Sequence, residues 1–371
     1  MKVLEVNVDD HLYGGVYVLV KSIIQYLPKH IRADVAALEP FDDKNHITEL
    51  NEYGSEVYYV GSKRNKVLKQ IDIYRNIKQL IKEKQYDVVH LHSDVSHKIL
   101  VSALAARKAP KLVFHAHAND AEGKFLILRR IFHKICCVFL KRIPADYLAT
   151  SADAGKWMFP WAKKEDVIVL NNGIDYHRFE FDIKKREEKR KELGYRDDEF
   201  VIGLFGRFVS PKNPIFAIEI LQAILEKDPH IKMLCIGEGP LKQIFIQELE
   251  KRNMEENVRI LGNTDHIEEY YQAIDALIMP SKFEGFGMVA VESQISGTPT
   301  YASVNVPDMT KISDLICYMP TQHEDLDKWR DKILEARSYI KNNVMDRIDK
   351  KYELHTLVNK IVSIYQGGNE Q

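Results

Sequence analysis

The sequence predicts an α/β protein made of two domains, each built around a parallel β-sheet. Short apolar runs of strand length alternate with longer segments of helical length, and this alternation occurs twice along the chain. Successive parallel strands need a crossover of a dozen or more residues, which a helix normally supplies. With 371 residues, of which 45% are hydrophobic, the chain is long enough for two separate cores.

The first set of predicted elements covers the N-terminal half. Its strands are Lys2–Val8, Ala33–Glu39, Glu56–Val60, Asp87–Leu91 and Lys111–Phe114. Its helices are Val16–Leu27, a helix that starts at Asn45, Val67–Glu83 and a helix that ends at Arg107. Near-continuous apolar runs are typical of strands that are buried on both faces of a sheet.

The second set contains five predicted strands: Phe200–Phe205, Lys232–Gly237, Val258–Leu261, Ala276–Pro280 and Pro299–Ala302. The segment Asp182–Asp198 precedes them and is predicted to be a charged helix with no apolar face. We interpret it as the entry to the second domain, with the N-N-G-I-D turn at 171–175 as the hinge. The predicted domains are therefore 1–175 and 176–344.

The last predicted helix covers roughly Asn343–Tyr365 and has apolar residues at helical spacing. This pattern is consistent with two placements. The helix either caps the second sheet or returns to the first domain.

The charge balance excludes a protein that recruits nucleic acid through a global field, because the formal net charge is −1. The two halves differ, however. Residues 1–175 contain 26 Lys+Arg and 21 Asp+Glu, whereas residues 176–371 contain 27 and 33. This asymmetry is consistent with a first domain that faces anionic lipid and a second that faces the cytosol.

The four cysteines show neither C-x-x-C spacing nor histidines at metal-ligand intervals. We therefore expect no disulfide framework and no zinc site, and a reducing compartment. The N-terminal M-K-V-L-E-V-N-V is too short and too polar for a signal peptide, and no apolar run reaches about 20 residues. We expect a cytoplasmic protein that is soluble or peripheral on the inner face of the plasma membrane.

The most informative segment is Ser281–Pro299, read as S-K-F-E-G-F-G-M-V-A-V-E-S-Q-I-S-G-T-P. It follows a predicted strand and forms a glycine-spaced turn and then a helix. Glycines let backbone N–H groups approach an anion, and a helix N-terminus adds partial positive charge. Glu284 before the turn and Glu292 on the helix are then placed to bind hydroxyl groups on either side of that anion. This arrangement suits a nucleotide sugar, although a capped helix with a surface acid has the same pattern.

The segment Val201–Pro214, V-I-G-L-F-G-R-F-V-S-P-K-N-P, supplies two cations. Arg207 and Lys212 lie on a loop after a predicted buried strand, where a planar guanidinium and a compact ammonium can bind a diphosphate. Two unrelated charges on a solvated loop are the alternative. The two motifs together, in this order, favour the diphosphate site.

These two motifs, G-R-F-x-x-x-K-N and E-G-F-G-M-V-A-V-E, resemble the donor site of the retaining glycosyltransferases of family 4, which have the GT-B fold. The resemblance extends along nearly the whole chain. Its other segments are Gly14-Gly15, D-V-V-H-L-H-S at Asp87–Ser93, F-H-A-H-A-N-D at Phe114–Asp120 and N-N-G-I-D at Asn171–Asp175. The subgroup most similar to this chain is that of bacterial capsular and exopolysaccharide biosynthesis.

The resemblance implies two Rossmann-like domains that face a central cleft, with the last helix, about 345–371, crossing back to the first domain. It implies that a hexose moves from a nucleotide-diphosphate sugar, with a UDP-sugar as the expected donor, to a glycan acceptor without a metal ion. The acceptor is expected to be lipid-linked, in cell-envelope polysaccharide synthesis. Adjacent acid pairs occur at Asp9-Asp10 and Asp42-Asp43, but no D-x-D triplet stands at a strand end; a metal-dependent site is the alternative.

The resemblance also assigns roles. The expected catalytic residues are His115, Arg207, Lys212 and Glu284. The expected donor-binding residues are Gly15, Arg207, Lys212, Gly237, Leu261, Glu284, Gly285, Phe286, Gly287, Met288 and Glu292. The expected acceptor-side residues are Gly14, His92 and His117, and the choice between His115 and His117 as the catalytic-side histidine stays open.

Two other functions are compatible with a similar fold. A nucleotide-sugar epimerase would consume the donor without an acceptor. A non-catalytic subunit that stabilises a partner enzyme would have a broken donor site, whereas Arg207, Lys212, Glu284 and Glu292 are all present.

A third segment, Lys124–Ile143, is predicted to be a basic amphipathic helix. Such a helix can lie on an anionic membrane surface. The cations proposed for that contact are Lys124, Arg129, Arg130, Lys134 and Lys141. The favoured placement of its apolar residues, which include Leu128, Ile131 and Phe139, is against the sheet.

Overall fold

The computed structural model describes residues 1–9, 15–118, 126–170 and 173–368. The chain divides into two compact units. Unit 1 comprises Met1–Gly173 and Tyr352–Gln371, and unit 2 comprises Ile174–Lys351.

Unit 1 contains seven strands and seven helices among the residues described. In chain order they are β1 (Lys2–Val6), α1 (Gly15–Tyr26), β2 (Arg32–Ala37), α2 (Asn45–Glu52), β3 (Val57–Tyr59), α3 (Lys66–Lys84), β4 (Val88–Ser93), α4 (Ser96–Ala106), β5 (Lys111–Ala116), α5 (Leu126–Leu140), β6 (Asp146–Ala149), α6 (Ala152–Met158) and β7 (Val167–Val169). The final helix of the chain also belongs to this unit.

Unit 2 follows with α7 (Tyr176–Phe179), α8 (Ile183–Glu192), β8 (Val201–Phe205), α9 (Pro214–Leu225), β9 (Lys232–Ile236), α10 (Lys242–Lys251), β10 (Val258–Leu261), α11 (Ile267–Ala273), β11 (Ala276–Met279), α12 (Met288–Ile295), β12 (Thr300–Ser303), β13 (Ile316–Met319) and α13 (Leu326–Glu335). The chain then returns to unit 1 as α14 (Leu354–Tyr365).

Both sheets are parallel throughout the residues described. The order in unit 1 is β3-β2-β1-β4-β5-β6-β7, and the order in unit 2 is β10-β9-β8-β11-β12-β13. In each sheet the order reverses direction once, between β1 and β4 and between β8 and β11. The prediction of two parallel-sheet domains is confirmed.

The sequence patterns missed three strands, β6, β7 and β13. Each has only three or four residues, and the burial of these strands is incomplete. β7 and β13 are edge strands, so one side of each has no neighbouring strand. Such short runs do not produce the long apolar stretch on which the other predictions relied.

The last helix starts eleven residues later than predicted, at Leu354 instead of Asn343. Its apolar face joins α1 in one core cluster of unit 1, which includes Val20, Ile23, Leu357 and Ile361. The expected return of this helix to the first domain is confirmed. The alternative, a cap on the second sheet, is wrong.

The charged helix α8 packs through arginines because it has no apolar face. Arg190 is only 2% exposed and donates to the carbonyl oxygens of Ala273, Arg196 and Glu199. Arg190 and Arg186 both pair with Asp275, whose second oxygen also accepts from the Val201 amide. A single carboxylate therefore joins α8 to the start of β8.

We predict that Asp275→Asn destabilises unit 2 by about 2–4 kcal/mol, because it removes one partner of a largely buried ion pair and leaves two guanidinium groups short of a counter-charge. The urea unfolding midpoint measures this. Asp198→Asn is the matched control, since Asp198 pairs with Arg196 at the surface, and the control should cost no more than about 0.5 kcal/mol. Equal midpoints for the two variants would show that the Asp275 network does not hold α8.

Candidate functional site

The carboxyl ends of β8 and β11 form a pocket in unit 2. Ligands of open α/β sheets bind at the carboxyl ends of strands, where the strand order reverses, because the loops diverge there. The pocket is lined by Gly206, Arg207, Lys212, Met279, Pro280 and Ser281. Both sequence motifs thus meet at one place, since Arg207 and Lys212 follow β8 and Ser281 follows β11.

The loop after β9 runs against the loop after β8, which requires glycine. Gly237 has a φ of +149°, and a Cβ on it would lie 2.0 Å from the carbonyl oxygen of Gly206. A Cβ on Gly239 would lie 2.5 Å from the Phe208 carbonyl oxygen. The Gly237 amide donates to the Leu261 carbonyl at the end of β10. The predicted donor-binding residues Gly237 and Leu261 therefore adjoin the arginine loop.

Lys212 and Glu284 form an ion pair beside this pocket. The Lys212 Nζ donates to both carboxylate oxygens of Glu284, at 2.5 and 2.7 Å, and the Ser281 hydroxyl donates to Oε1 at 2.7 Å. The Glu284 side chain is 6% exposed, whereas Arg207 is exposed. The structure thus brings together three of the four expected catalytic residues, Arg207, Lys212 and Glu284.

The glycine-spaced turn leads directly into α12, as the sequence predicted. Gly287 has a φ of +93° and precedes Met288, the first residue of the helix. A Cβ on Gly285 would meet nothing within 4 Å, so its own surroundings do not require glycine there. The open backbone at Gly285 and the first amides of α12 together suit the close approach of an anion.

Glu292, on α12, accepts a hydrogen bond of 2.8 Å from the hydroxyl of Tyr271. Burial raises the pKa of Glu292 above its ordinary value, and the bond from Tyr271 only partly opposes this. Burial likewise raises the pKa of Tyr271 well above its usual range. The pair is therefore a half-buried carboxylate oriented by a buried, neutral phenol.

Tyr271 is a site residue that the sequence patterns missed. Its ring packs edge-on against Phe205, at a centroid distance of 4.9 Å, and Phe205 also lines the pocket. Glu292 is thereby linked to the pocket wall. The adjacent tyrosines at 270 and 271 were the only available signal, and spacing does not tell which one reaches α12.

The predicted histidines lie in unit 1, at the ends of β4 and β5. His92 is completely buried and His115 is 1% exposed, whereas His117 is half-buried. His92 Nδ1 lies 3.0 Å from His117 Nε2. Burial lowers the pKa of His92 to about 4 and lowers the pKa values of His115 and His117 well below their usual range. All three rings are therefore neutral at neutral pH.

Some predicted residues lie outside the part of the chain that the structure describes. They are Gly14, Lys124, Asn119-Asp120 and Asn171-Asn172. Gly15 is described and begins α1.

The helix α5 does not pack as the sequence led us to expect. Its buried stripe consists of His133, Cys136, Cys137 and Leu140. The larger apolar side chains are at least half exposed: Ile127, Leu128, Ile131, Phe132, Ile135, Val138 and Phe139. The expectation that they pack on the sheet is wrong, because the buried face of α5 instead carries two small cysteines and His133, whose ring stacks on Trp157 of α6 at 3.8 Å. No helix among the described residues is long and apolar enough to span a membrane.

Two family models match the chain over most of its length. The model described as Glycosyltransferase Family 4 matches residues 13–178, and the model described as Glycosyl transferases group 1 matches residues 185–339. The chain is a glycosyltransferase of family 4. The predicted family membership and enzyme class are confirmed.

Named relatives and solved structures agree with this assignment. The chain is 27% identical over 338 residues to "Putative glycosyltransferase EpsF" of Bacillus subtilis, covering 87% of this chain and 85% of that one. It is 25% identical over 244 residues to the Escherichia coli UDP-Gal:alpha-D-GlcNAc-diphosphoundecaprenol alpha-1,3-galactosyltransferase, covering 64% and 62%. The crystal structure of Anabaena Alr3699/HepE in complex with UDP superposes with a TM-score of 0.75 at 20% identity, covering 99% and 100%. The GT-B fold is confirmed.

The Glu292 environment predicts a stability change in the glycosyltransferase without ligand. Because the folded-state pKa of Glu292 is raised, the ionised carboxylate costs stability at neutral pH, and this cost disappears as the pH falls through the folded-state pKa. Glu292→Gln, which can still accept from Tyr271, should raise the Tm at pH 7 by about 1–3 °C and have a smaller effect at pH 5.

The control is Glu335→Gln at the exposed end of α13, which should change Tm by less than about 1 °C. A Tm for Glu292→Gln that is unchanged at pH 7, or that rises more at pH 5 than at pH 7, would contradict the proposed cost of the buried charge.

Proposed function

We propose that this glycosyltransferase transfers a hexose from a UDP-sugar to a lipid-linked glycan acceptor, with retention of anomeric configuration, in cell-envelope polysaccharide synthesis. The observation that carries the proposal is the gathering of Arg207, the Lys212–Glu284 pair and the start of α12 around one strand-end pocket. The E. coli relative, named for a UDP-Gal donor and an alpha-D-GlcNAc-diphosphoundecaprenol acceptor, and the UDP complex of HepE support the choice of substrates.

The donor is proposed to bind in unit 2 with its diphosphate against Arg207, Lys212 and the first amides of α12. These donors face the place where negative charge develops as the glycosidic bond breaks, which is the most effective use of fixed dipoles and cations. Glu284 then accepts from the hexose hydroxyls, and Glu292 accepts from the ribose diol. The Lys212–Glu284 bonds must partly open, because Lys212 turns from the carboxylate to the phosphate.

In the proposed step the bond between the anomeric carbon and the diphosphate oxygen breaks, and an acceptor hydroxyl oxygen bonds to the same face of that carbon. The hydroxyl proton passes to the departing phosphate oxygen, so the products are the glycoside and UDP. Retention follows because both groups use one face. Two side-chain cations and the helix amides provide the charge stabilisation, and we propose that the step needs no metal ion.

Of the two candidate histidines, we propose His117 for contact with substrate. Its ring is half-buried and neutral, whereas the His115 ring is buried beneath it at a centroid distance of 4.3 Å. A neutral imidazole can donate one hydrogen bond to a sugar hydroxyl or a phosphate oxygen and accept another.

The surface of α5 supports a membrane-bound acceptor. Seven apolar side chains are exposed there next to the cations Arg129, Arg130 and Lys134, which are also exposed. An amphipathic helix with this composition binds at the boundary between headgroups and acyl chains, and the cations add attraction to anionic lipids. We therefore propose that α5 holds the enzyme on the anionic surface that carries the acceptor.

Arg207→Ala should reduce kcat by about 10²–10³-fold, because it removes a cation that stabilises the leaving diphosphate. The assay follows transfer from labelled UDP-hexoses to an undecaprenyl-diphosphate-linked sugar, with NMR of the product to assign the anomer. Lys332→Ala, which removes a surface cation on α13, should leave the rate unchanged.

Three results would each overturn a different part of the proposal. Inverted product would exclude the same-face step. Conversion of the UDP-sugar to an isomer without acceptor would indicate an epimerase. Failure of every nucleotide sugar to raise the Tm would indicate a non-catalytic subunit.

Replacing Arg129, Arg130 and Lys134 together by Gln should weaken binding to vesicles of phosphatidylglycerol and phosphatidylcholine by about 10²-fold at low salt, at roughly 1 kcal/mol per cation. Replacing Ile131, Phe132 and Phe139 by Ser should weaken binding to neutral vesicles too, because it removes the inserted area. Sedimentation with vesicles measures both.

The matched control neutralises Lys184, Lys185 and Lys191, three exposed cations on α8 in unit 2. If that variant loses binding to the same extent, the attraction depends on net charge and not on α5.

A further inference from the structure

A second group of polar side chains is buried in unit 1, whereas the pocket described above belongs to unit 2. Glu5 on β1, His90 and His92 on β4, and His115 on β5 are each between 0% and 1% exposed. The parallel register places Glu5 beside His90 and His92 beside His115, so all four lie on one face of the sheet. The hydroxyl of Tyr365, on α14, forms hydrogen bonds with His90 and Glu5 of this group.

The carboxylate of Glu5 orients two of the rings. Its Oε2 lies 2.7 Å from His92 Nε2 and 3.0 Å from His90 Nδ1, and its Oε1 accepts from Tyr365 at 2.8 Å. A carboxylate bonded to the far nitrogen of an imidazole fixes the tautomer and leaves the other nitrogen with a lone pair, as in carboxylate–histidine–metal arrangements.

Three buried ring nitrogens have no hydrogen-bond partner among the described residues. They are His90 Nε2 and both nitrogens of His115. A neutral imidazole carries one N–H and one lone pair, so His115 by itself leaves a donor and an acceptor unsatisfied. Buried polar atoms rarely lack a hydrogen-bond partner, so these nitrogens indicate a ligand that binds to the cluster.

The spacing of the rings suits one small cation. One nitrogen from each of His90, His92 and His115 lies within 4.8 Å of the other two, and the ring centroids are 4.2, 5.3 and 5.4 Å apart. Metal–nitrogen bonds of 2.0–2.1 Å in a tetrahedral site put ligating nitrogens about 3.3 Å apart and ring centroids about 5 Å apart. Small ring rotations would therefore complete the site.

We propose that His90, His92 and His115 bind a divalent transition-metal ion, best matched by Zn²⁺, with Glu5 as the carboxylate that orients His90 and His92. Imidazole nitrogens suit zinc and its neighbours, whereas Mg²⁺ and Ca²⁺ require oxygen ligands. The site is buried within unit 1, has a structural role, and joins β1, β4 and β5; the transferase proposal does not depend on it.

The metal content of the full chain, purified with a tag that contains no histidine and without chelator from zinc-supplemented medium, tests the proposal. Elemental analysis should give about one Zn²⁺ per chain. His115→Leu should reduce this at least tenfold, and because neither nitrogen of His115 has a partner, the change breaks no hydrogen bond. Should His115→Leu fail to fold, His90→Asn keeps an amide near Glu5 but lacks the Nε2 ligand.

Two controls separate loss of a ligand from loss of structure. Tyr365→Phe removes the hydrogen bonds to Glu5 and His90 but no ligand, so it should retain about one Zn²⁺ per chain. His230→Leu removes an exposed histidine and should also retain the metal. A zinc chelator should lower the Tm of the wild type and leave that of His115→Leu unchanged.

Folded wild-type protein that contains no metal, and that gives no d–d absorption bands of tetrahedral cobalt on titration with Co²⁺, would overturn the proposal; the cluster would then be a hydrogen-bonded network around water. Equal zinc content in the wild type and His115→Leu would also overturn it, since the metal would then lie elsewhere. Neither result bears on the transferase proposal, which is tested separately by the product assay with Arg207→Ala.

Discussion

The parallel pairing of β8 with β11 is the constraint on which the proposed donor site depends. These strands are neighbours in the sheet, but about 70 residues separate them in the chain, and helices on the two faces connect them to their other neighbours. The loops that follow them therefore start side by side and diverge. This places Arg207 and Lys212 next to Ser281 and Glu284, although neither motif contains any information about the other.

Two charged groups of this site, Lys212 and Glu284, are paired with each other, and Glu292 accepts a hydrogen bond from a neutral tyrosine, Tyr271. These hydrogen bonds lower the free-energy cost of burying the side chains, because an isolated charge in a largely buried place would destabilise the fold. It also holds them near the positions in which a diphosphate and two sets of hydroxyl groups would meet them. Binding of a donor would exchange internal partners for substrate groups instead of ordering free side chains.

Unit 1 uses the equivalent edge of its sheet differently. The strand order reverses between β1 and β4, and the side chains at that point are Glu5, His90 and His92. They are covered by Tyr365 of α14, which joins the core of this unit. The point at which the strand order reverses therefore forms an open pocket in unit 2 and a buried polar cluster in unit 1. The exposed apolar surface of α5 lies on this same unit, so the elements proposed for metal and for membrane both belong to unit 1, whereas Arg207, Lys212 and Glu284 belong to unit 2.

The sequence by itself determined the alternation of strands and helices, the two donor motifs and the family, because long apolar runs and glycine-spaced acids are local patterns. It did not determine β7 or β13, which are too short to form a pattern and exist because a neighbouring strand offers hydrogen bonds. Only the tertiary structure decided that Tyr271 orients Glu292 and that Glu5 joins two histidines 85 and 87 residues away. It also decided which face of α5 is buried, because that choice depends on the surface opposite, where His133 bonds to Ser96 and stacks on Trp157.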